Sequence, residues 1–452
     1  MKNKKPTLIA ESFHEDPAVI EAKRILLERL SEHQARVDGV RPPRGELVEQ
    51  YDETIREFSK ARAGNLYFPY LGSGMGNGSL VELADGSVKY DFISGIGVHH
   101  FGHSHPKLIE AGIDAALSDT VMQGNLQQNL GSVEFSRLLL DAASDIGEGF
   151  DHCFLTSTGV MAGENALKIA FQKKAPASRV LAFEHCFAGR TIAFSQITDK
   201  AAYREGVPLT LPVDYVPFDA ETALERLNEH IARYPGQHAA MIFELVQGEG
   251  GFHVGAEEWF RPLMERCREA NIAVLVDEVQ TFSRTPSLFA TRHFNLGDLV
   301  DIIWIGKSSQ VCATLFREDW APRPGLLSQT FTASSGAIAA GCVILRELQT
   351  GGFFGEDGRI ARWHQWLVER LEKLDSVSGP FGIGAMVAFT PCGGDPARVT
   401  ALVKRLFEKG VMCFVAGSHP MRIRFLLPIG GLTDAQLEAA WEIVEETIRE
   451  ET

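Results

Sequence analysis

The stretch Ile272-Ala273-Val274-Leu275-Val276-Asp277-Glu278-Val279-Gln280, followed by Ile302-Ile303-Trp304-Ile305-Gly306-Lys307, decides the fold. Each begins as a short continuous apolar run and ends in a single polar group. Strands covered on both faces read this way, so two buried parallel strands are predicted. In such sheets ligands gather at the carboxyl ends of the strands, where Asp277 and Lys307 fall.

An acid and an amine at neighbouring strand ends can be a structural ion pair, and these two residues alone leave that reading open. Chemistry offers another. A lysine partly withdrawn from water loses some preference for its charged form, and its amine becomes available to form a Schiff base. A carboxylate beneath a pyridine ring keeps the ring nitrogen protonated, and the two demands together are those of pyridoxal phosphate. The rest of the chain must then supply a phosphate cradle and a ring stack.

With 452 residues, 45% hydrophobic and 23% charged, the chain is long enough for two or three domains of an ordinary soluble protein. Its 59 acidic and 44 basic residues give a net charge of −15, which argues against non-specific binding to nucleic acid or anionic membrane. The seven cysteines show no CxxC spacing, fitting neither a disulfide framework nor a zinc site, so a cytoplasmic location is expected. The basic start, Met1-Lys2-Asn3-Lys4-Lys5-Pro6, precedes too little apolar sequence for a secretion signal, and no run approaches a membrane span.

Asp16-Pro17 reads as the cap and first residue of a helix, and a second helix is predicted from Arg44 to Ala63. Both suit an arm packed on the main body. Strands follow at Leu80 to Leu83 and Val88 to Phe92, then a loop dense in glycine and histidine from Ser94 to Pro106. Its four histidines lack partners at ligand spacing, so no metal is expected; glycines admitting the backbone close to a ligand are the preferred reading.

Phe154 to Met161 leads from a strand into a helix running from Ala162 to Lys173. Small residues at that helix start suit a phosphate, although Thr158 serves equally as an ordinary N-cap. After the strand Val180 to Phe183, Phe187 is a ring stack or a core aromatic, and Arg190 a carboxylate clamp or a surface arginine. Ala239 to Phe243 is another buried strand. Glu249, in its glycine frame, is a movable partner for a basic group or a solvated turn acid. Near the end, a helix is predicted from Asp395 to Lys409, strands from Val411 to Val415 and Met421 to Leu427, and a closing helix capped by Thr433-x-x-Gln436.

Gly102-His103-Ser104-His105-Pro106, Phe187-Ala188-Gly189-Arg190-Thr191, Gln247-Gly248-Glu249-Gly250-Gly251, Asp277-Glu278-Val279-Gln280-Thr281, Gly306-Lys307, Gln329-Thr330-Phe331 and Arg422-Ile423-Arg424-Phe425 occur in the order seen in class III aminotransferases. From about Leu80 to the C-terminus the sequence resembles that pyridoxal-phosphate family. The resemblance implies an α/β protein of pyridoxal-phosphate fold type I, with a mostly parallel seven-stranded sheet in a large domain and a smaller α+β domain. The corresponding division is a helical arm at 1–78, the first part of the small domain at 79–105, the large domain at 106–340 and the rest of the small domain at 341–452. A homodimer sharing its active sites is implied as well.

Position by position, the resemblance implies that Lys307 is the Schiff-base lysine and Asp277 the pyridinium partner. Gln280 would bond near the ring oxygen, and Phe187 would stack on the ring. Thr158, Gly159 and Val160 would hold the phosphate, with Thr330 reaching it from the other subunit. Arg424 and Arg190 would bind substrate carboxylates, and Glu249 would neutralise Arg424 when the donor presents none there. The implied reaction moves an amino group from an ω-amino acid or amine, lysine-, ornithine- or 4-aminobutyrate-like, to 2-oxoglutarate.

The family pattern is not kept everywhere. Met161 stands where a glutamate is frequent, Ala188 replaces a histidine, Ser334-Ser335 replaces Asn-Pro, and Ser308-Ser309-Gln310 replaces a glycine-rich run. Gly163-Glu164-Asn165-Ala166-Leu167-Lys168 and the run from Gly306 to Cys312 are most similar to lysine 6-aminotransferases. A lyase or mutase on the same scaffold, and a non-catalytic homologue, are the alternatives.

Overall fold

The two apolar runs form neighbouring strands inside a seven-stranded sheet. The computed structural model describes residues 8–119, 121–124 and 126–451, so the basic start lies outside the described residues. In chain order the strands are β1 (His152–Thr156), β2 (Arg179–Phe183), β3 (Val213–Val216), β4 (His238–Phe243), β5 (Ala273–Asp277), β6 (Ile302–Ile305) and β7 (Cys312–Phe316). They lie in the order β1-β7-β6-β5-β4-β2-β3. Only β7 runs against its neighbours. The sheet is mostly parallel, as expected.

Every residue of β5 and β6 is buried. Because successive side chains point to opposite faces, both faces of the sheet must be covered there, which is why the runs do not alternate. Each fully buried Val, Leu or Ile contributes roughly 1.5–3 kcal/mol relative to an exposed one. The register sets Leu275 opposite Ile302 and Asp277 opposite Trp304. Since β1, β2, β4, β5 and β6 run in one direction, the chain leaves all five strands at the same edge.

After β1 the chain enters the helix Gly159–Lys174 almost at once. Gly163 lets this helix lie close to the sheet: a Cβ there would come within 2.6 Å of the Phe194 ring and 3.2 Å of Trp304. Thr314 on β7 donates its hydroxyl to the Ala162 carbonyl at 2.8 Å, fixing the first turn. The helix N-terminus is thereby held at the edge where Asp277 and Lys307 emerge.

The two ends of the chain meet in a second sheet, where Val411–Met412 pairs parallel with Val88–Asp91 beside Leu80–Leu83 and Gly72–Asn77. A third sheet holds Val377–Ile383, Met386–Pro391, Arg422–Leu426 and Phe414–Ala416. The single strand expected from Val411 to Val415 is therefore two. Tyr90 and Phe92 N–H groups bond the Gly410 and Met412 carbonyls, whereas Phe414–Ala416 ladders with Arg422–Leu426, so the run changes sheets at the buried Cys413. Each backbone polar group is satisfied on whichever side offers a partner.

The N-terminal helices span Pro17–Gln34, capped by Asp16 accepting the Ala18 N–H at 2.8 Å, and Gly45–Ala61. The closing helix Asp434–Glu451 has the reciprocal cap, with Gln436 N–H to Thr433 Oγ1 at 3.2 Å and Thr433 N–H to Gln436 Oε1 at 3.3 Å. In the histidine loop two glycines serve packing. Gly97 makes room for the Arg284 guanidinium and Gly102 for the Gly78 carbonyl. His103 Nε2 bonds Asp91 Oδ2 at 2.9 Å and His100 Nε2 bonds Ser283 Oγ at 3.0 Å.

Candidate functional site

The strand-edge segments enclose a cavity of about 290 Å³. Its walls include Gly159, Val160, Phe187, Arg190, Glu249, Asp277, Gln280 and Lys307, which the sequence scatters over 149 positions and the fold brings together. Thr158 is the N-cap just outside, accepting the Met161 N–H at 3.3 Å. Arg424 stands behind Glu249. Thr330 is not a wall residue of the cavity within this chain; it is exposed, and its carbonyl accepts the Gly124 N–H at 2.9 Å.

Asp277 closes β5 and is 8% exposed. Glu278, the next residue, points away from it and is consumed by the N–H groups of Ala290 at 2.8 Å and Thr291 at 2.7 Å, leaving Asp277 to face the cavity. Its Oδ1 accepts the Val279 N–H at 2.9 Å. Burial pushes its carboxyl up to about 7, opposed by that N–H and by Lys307.

Lys307 follows β6 on a tight turn, Lys307–Ser309, with a left-handed φ of 54° that costs a non-glycine residue energy. Burial pushes its ammonium down to about 8; Arg284 and Arg424 add to this, while Glu249 and Asp277 oppose it. The free amine is therefore more accessible than in a solvent-exposed lysine. Such an amine is a nucleophile and a proton carrier at once.

The remaining walls match the needs of pyridoxal phosphate. Gln280 Oε1 is buried with no hydrogen-bond partner, and amide oxygens and nitrogens exchange places by a flip, so this side chain has unused capacity facing the cavity. Gly248 makes room for it, since a Cβ there would fall 2.2 Å from Gln280 Oε1. At the other end, the first N–H groups of Gly159–Lys174 have no preceding helical carbonyl and carry the positive end of the helix dipole. Phe187 is half-buried on the wall rather than sunk in the core. An anion cradle, a ring face, an amide and a buried acid are all present, and the group fits.

Arg424 is fully buried, with Nη2 donating to Glu249 Oε1 at 2.6 Å and Nη1 to the Gly248 carbonyl at 3.0 Å. The Glu249 side chain keeps 30% of its exposure. Arg190 is exposed at the mouth, its guanidinium 3.7 Å from the centre of the Tyr203 ring.

Three residues escaped the sequence reading. Glu244 closes β4 as Asp277 closes β5, accepting the N–H groups of Gly248 at 2.9 Å and Phe187 at 3.2 Å; burial pushes it up to about 8. Its position after an apolar run was the available signal. Arg284, wholly buried, bonds the carbonyls of Gln280 at 2.9 Å and Gly97, and burial pushes it down to about 9. Tyr203 carried no signal at all.

A family model described as aminotransferase class-III matches residues 68–448. The chain is 28% identical over 390 residues to an acetylornithine aminotransferase of Caldanaerobacter subterraneus subsp. tengcongensis, covering 83% of this chain and 94% of that one. It is 31% identical over 404 residues to a 5-aminovalerate aminotransferase of Pseudomonas aeruginosa, covering 82% and 92%. A solved lysine aminotransferase from M. tuberculosis superposes with a TM-score of 0.75 at 23% identity, covering 83% of this chain and 94% of that one, a likeness of fold.

Proposed function

The chain belongs to the class III aminotransferases, a pyridoxal-phosphate-dependent family of fold type I, and on that footing we propose that it moves an amino group from an ω-amino acid or amine to 2-oxoglutarate. The observation that carries this reading is the pair of arginines around Lys307. Arg424 is already neutralised by Glu249, and Arg190 forms no ion pair among the described residues. A donor whose reacting end lacks a carboxylate leaves the Arg424–Glu249 pair closed. A dicarboxylate acceptor uses both arginines once Glu249 has moved aside.

Bound in this cavity, pyridoxal phosphate supplies a carbonyl that holds the amino group and a ring that accepts the electron pair of the breaking C–H bond. Asp277 keeps the ring nitrogen protonated. The burial that disfavours its bare carboxylate also strengthens its attraction to a cationic N–H. Lys307 Nζ would hold the cofactor through its carbonyl, and when freed by the donor amine it would take the proton from the donor's amine-bearing carbon as base and deliver it, as acid, to the former carbonyl carbon of the cofactor. Phe187 fixes the ring plane, Gln280 the edge, and Thr158, Gly159 and Val160 the phosphate.

A lysine-, ornithine- or 4-aminobutyrate-like donor fits this scheme, and the names of the relatives name donors with a distal amine. Ser308 and Ser309 add no polar group to the cavity. Both are buried and off its wall, with hydroxyls bonded to the Phe282 and Val311 carbonyls, which supports reading the altered loop as structural. The proposed homodimer is supported by Leu126, Leu130 and Val133, which are 91%, 73% and 64% exposed, and by Phe331 at 47% beside Thr330. The proposed division at 1–78, 79–105, 106–340 and 341–452 draws support from the pairing of Val411–Met412 with Val88–Asp91, but two of its bounds need moving: Gly72–Asn77 belongs to that same sheet rather than to a helical arm, and the helix Ser335–Thr350 runs unbroken across 340. No described helix is long and apolar enough to cross a membrane; the proposed setting is the cytoplasm.

The deciding experiment records the visible absorbance of the purified protein, then adds lysine, ornithine, 4-aminobutyrate and glutamate in turn. A yellow species that bleaches with one amine and returns with 2-oxoglutarate is expected. Bleaching that pyruvate reverses and 2-oxoglutarate does not would exclude the proposed acceptor, and consumption of an amine without any oxo-acid requirement would move the assignment to a lyase or mutase.

A further inference from the structure

Arg190 does not stand alone at the mouth of the cavity. The segment that follows it folds back and is latched to the turn that carries it. Thr198 Oγ1 accepts the N–H groups of Ala188 at 3.0 Å and Gly189 at 3.1 Å, and it lies 2.9 Å from the Gly189 carbonyl. Asp199 adds two bonds: its N–H to the Cys186 carbonyl at 3.1 Å and its Oδ2 to the His185 N–H at 2.8 Å. The turn Ala201–Tyr203 comes next, and this latch sets the Tyr203 ring beneath Arg190.

At 3.7 Å from the ring centre, the Arg190 guanidinium lies over the face of Tyr203. Phe187, the proposed ring stack, meets the same tyrosine edge-on, with centroids 6.3 Å apart and planes at 89°. Lys200 Nζ lies 4.7 Å from that ring as well. A guanidinium donates hydrogen bonds in its own plane and is attracted to aromatic rings through its face. Stacking therefore occupies the face and leaves the N–H edge for a carboxylate. It also orders a long exposed side chain before the ligand arrives, so less ordering is left to be done on binding. Two cations on one ring form a local positive site in a chain whose net charge is −15.

The geometry points to Tyr203 as a specificity-determining residue: an aromatic plate that holds Arg190 edge-on for the distal carboxylate of a dicarboxylate acceptor. This rests on the proposed reading of Arg190. Tyr203 touches neither the reacting carbon nor the cofactor in this assignment; it acts through Arg190 and is a positioning residue. Arg424, closed by Glu249, is the carboxylate site that must be opened, whereas Arg190 on its plate is the one standing ready.

The test uses the full-length holoenzyme with the donor identified by bleaching, and compares 2-oxoglutarate with pyruvate, which has no distal carboxylate. Tyr203→Leu and Tyr203→Gln are expected to raise KM for 2-oxoglutarate about tenfold with kcat changed less than about twofold. The ratio of kcat/KM for 2-oxoglutarate to that for pyruvate falls accordingly, and Tyr203→Phe, which keeps the ring, recovers most of it. Thermal melting of each variant shows that a fold has been retained, and two non-aromatic replacements guard against one failing to fold. Arg190→Gln separates the two levels of the argument. If it leaves KM for 2-oxoglutarate unmoved, Arg190 is not in the acceptor site and the inference falls with that reading. If it raises KM while Tyr203→Leu and Tyr203→Gln do not, or if these lower the use of both acceptors equally, Arg190 keeps its role and the plate is overturned.

Discussion

Asp277→Asn should change the protein in opposite directions with and without its cofactor. In the cofactor-free chain, burial raises the Asp277 carboxyl from 3.8 to about 7. Between those values the folded state holds a proton that the unfolded state has released, so stability falls as pH rises through this window and is level above it. At about 1.36 kcal/mol per unit, the penalty is about 2 kcal/mol at pH 5.5 and about 4 kcal/mol at pH 8. Asparagine has no charge to bury and escapes it, but it forfeits the attraction to Lys307, which takes back part of the gain. Urea melts of the apoprotein should show Asp277→Asn more stable than wild type by about 2 kcal/mol at pH 8, with a smaller difference at pH 5.5. The loaded enzyme should lose several orders of magnitude in turnover, because the ring nitrogen loses its acid. An apoprotein destabilised by the substitution, or a difference that shrinks as pH rises, refutes the burial argument; a near-wild-type rate refutes the pyridinium role.

Lys307→Ala should abolish turnover, and a persisting amino transfer to 2-oxoglutarate would remove Lys307 from the reaction. Gly248→Ala places a Cβ 2.2 Å from Gln280 Oε1 and must turn that side chain aside. Reconstitution of the apoprotein should then need about tenfold more pyridoxal phosphate, for an overpacking cost of roughly 1–3 kcal/mol; unchanged affinity would mean that Gln280 does not touch the cofactor. Glu249→Gln leaves Arg424 without its neutralising charge, so single-turnover bleaching by an ω-amine should slow about tenfold or more while the return with 2-oxoglutarate changes little. Equal slowing of both halves would count against a gate at that pair.

The central strands were legible because burial on both faces imposes an unbroken apolar run, and the residue ending each run is placed by that alone. By the same rule Glu244 was legible, but the glycine frame around Glu249 drew attention five residues further on. Arg284 was not. Its burial depends on Gly97 yielding space from 187 positions away. Tyr203 meets Arg190 only through the hydroxyl latch of Thr198, a contact with no period or motif. The run from Val411 to Val415 has one hydrophobic pattern and two sheets, because periodicity reports which face of a strand is buried but not which neighbour its backbone pairs with.

In the proposed reaction one cavity must receive, in turn, a donor end without a carboxylate and an acceptor with one, so one member of the Arg424–Glu249 pair has to move. Burial decides which. Arg424 is without exposure and also holds the Gly248 carbonyl, whereas the Glu249 side chain is 30% exposed. Leaving Arg424 unpaired in place would strand a buried charge, a loss of about 3–5 kcal/mol when a partner is simply removed. Exchange for a substrate carboxylate strands nothing: the arginine passes from one anion to another, and Glu249 swings toward water, where its charge is solvated. Backbone bonds from Gly417 N–H to the Glu249 carbonyl at 2.8 Å, and from Arg422 to the Gly251 carbonyl, hold the loop while the side chain turns. The gate is therefore a rotamer change rather than a loop opening, and the arginine is the fixed post against which it closes.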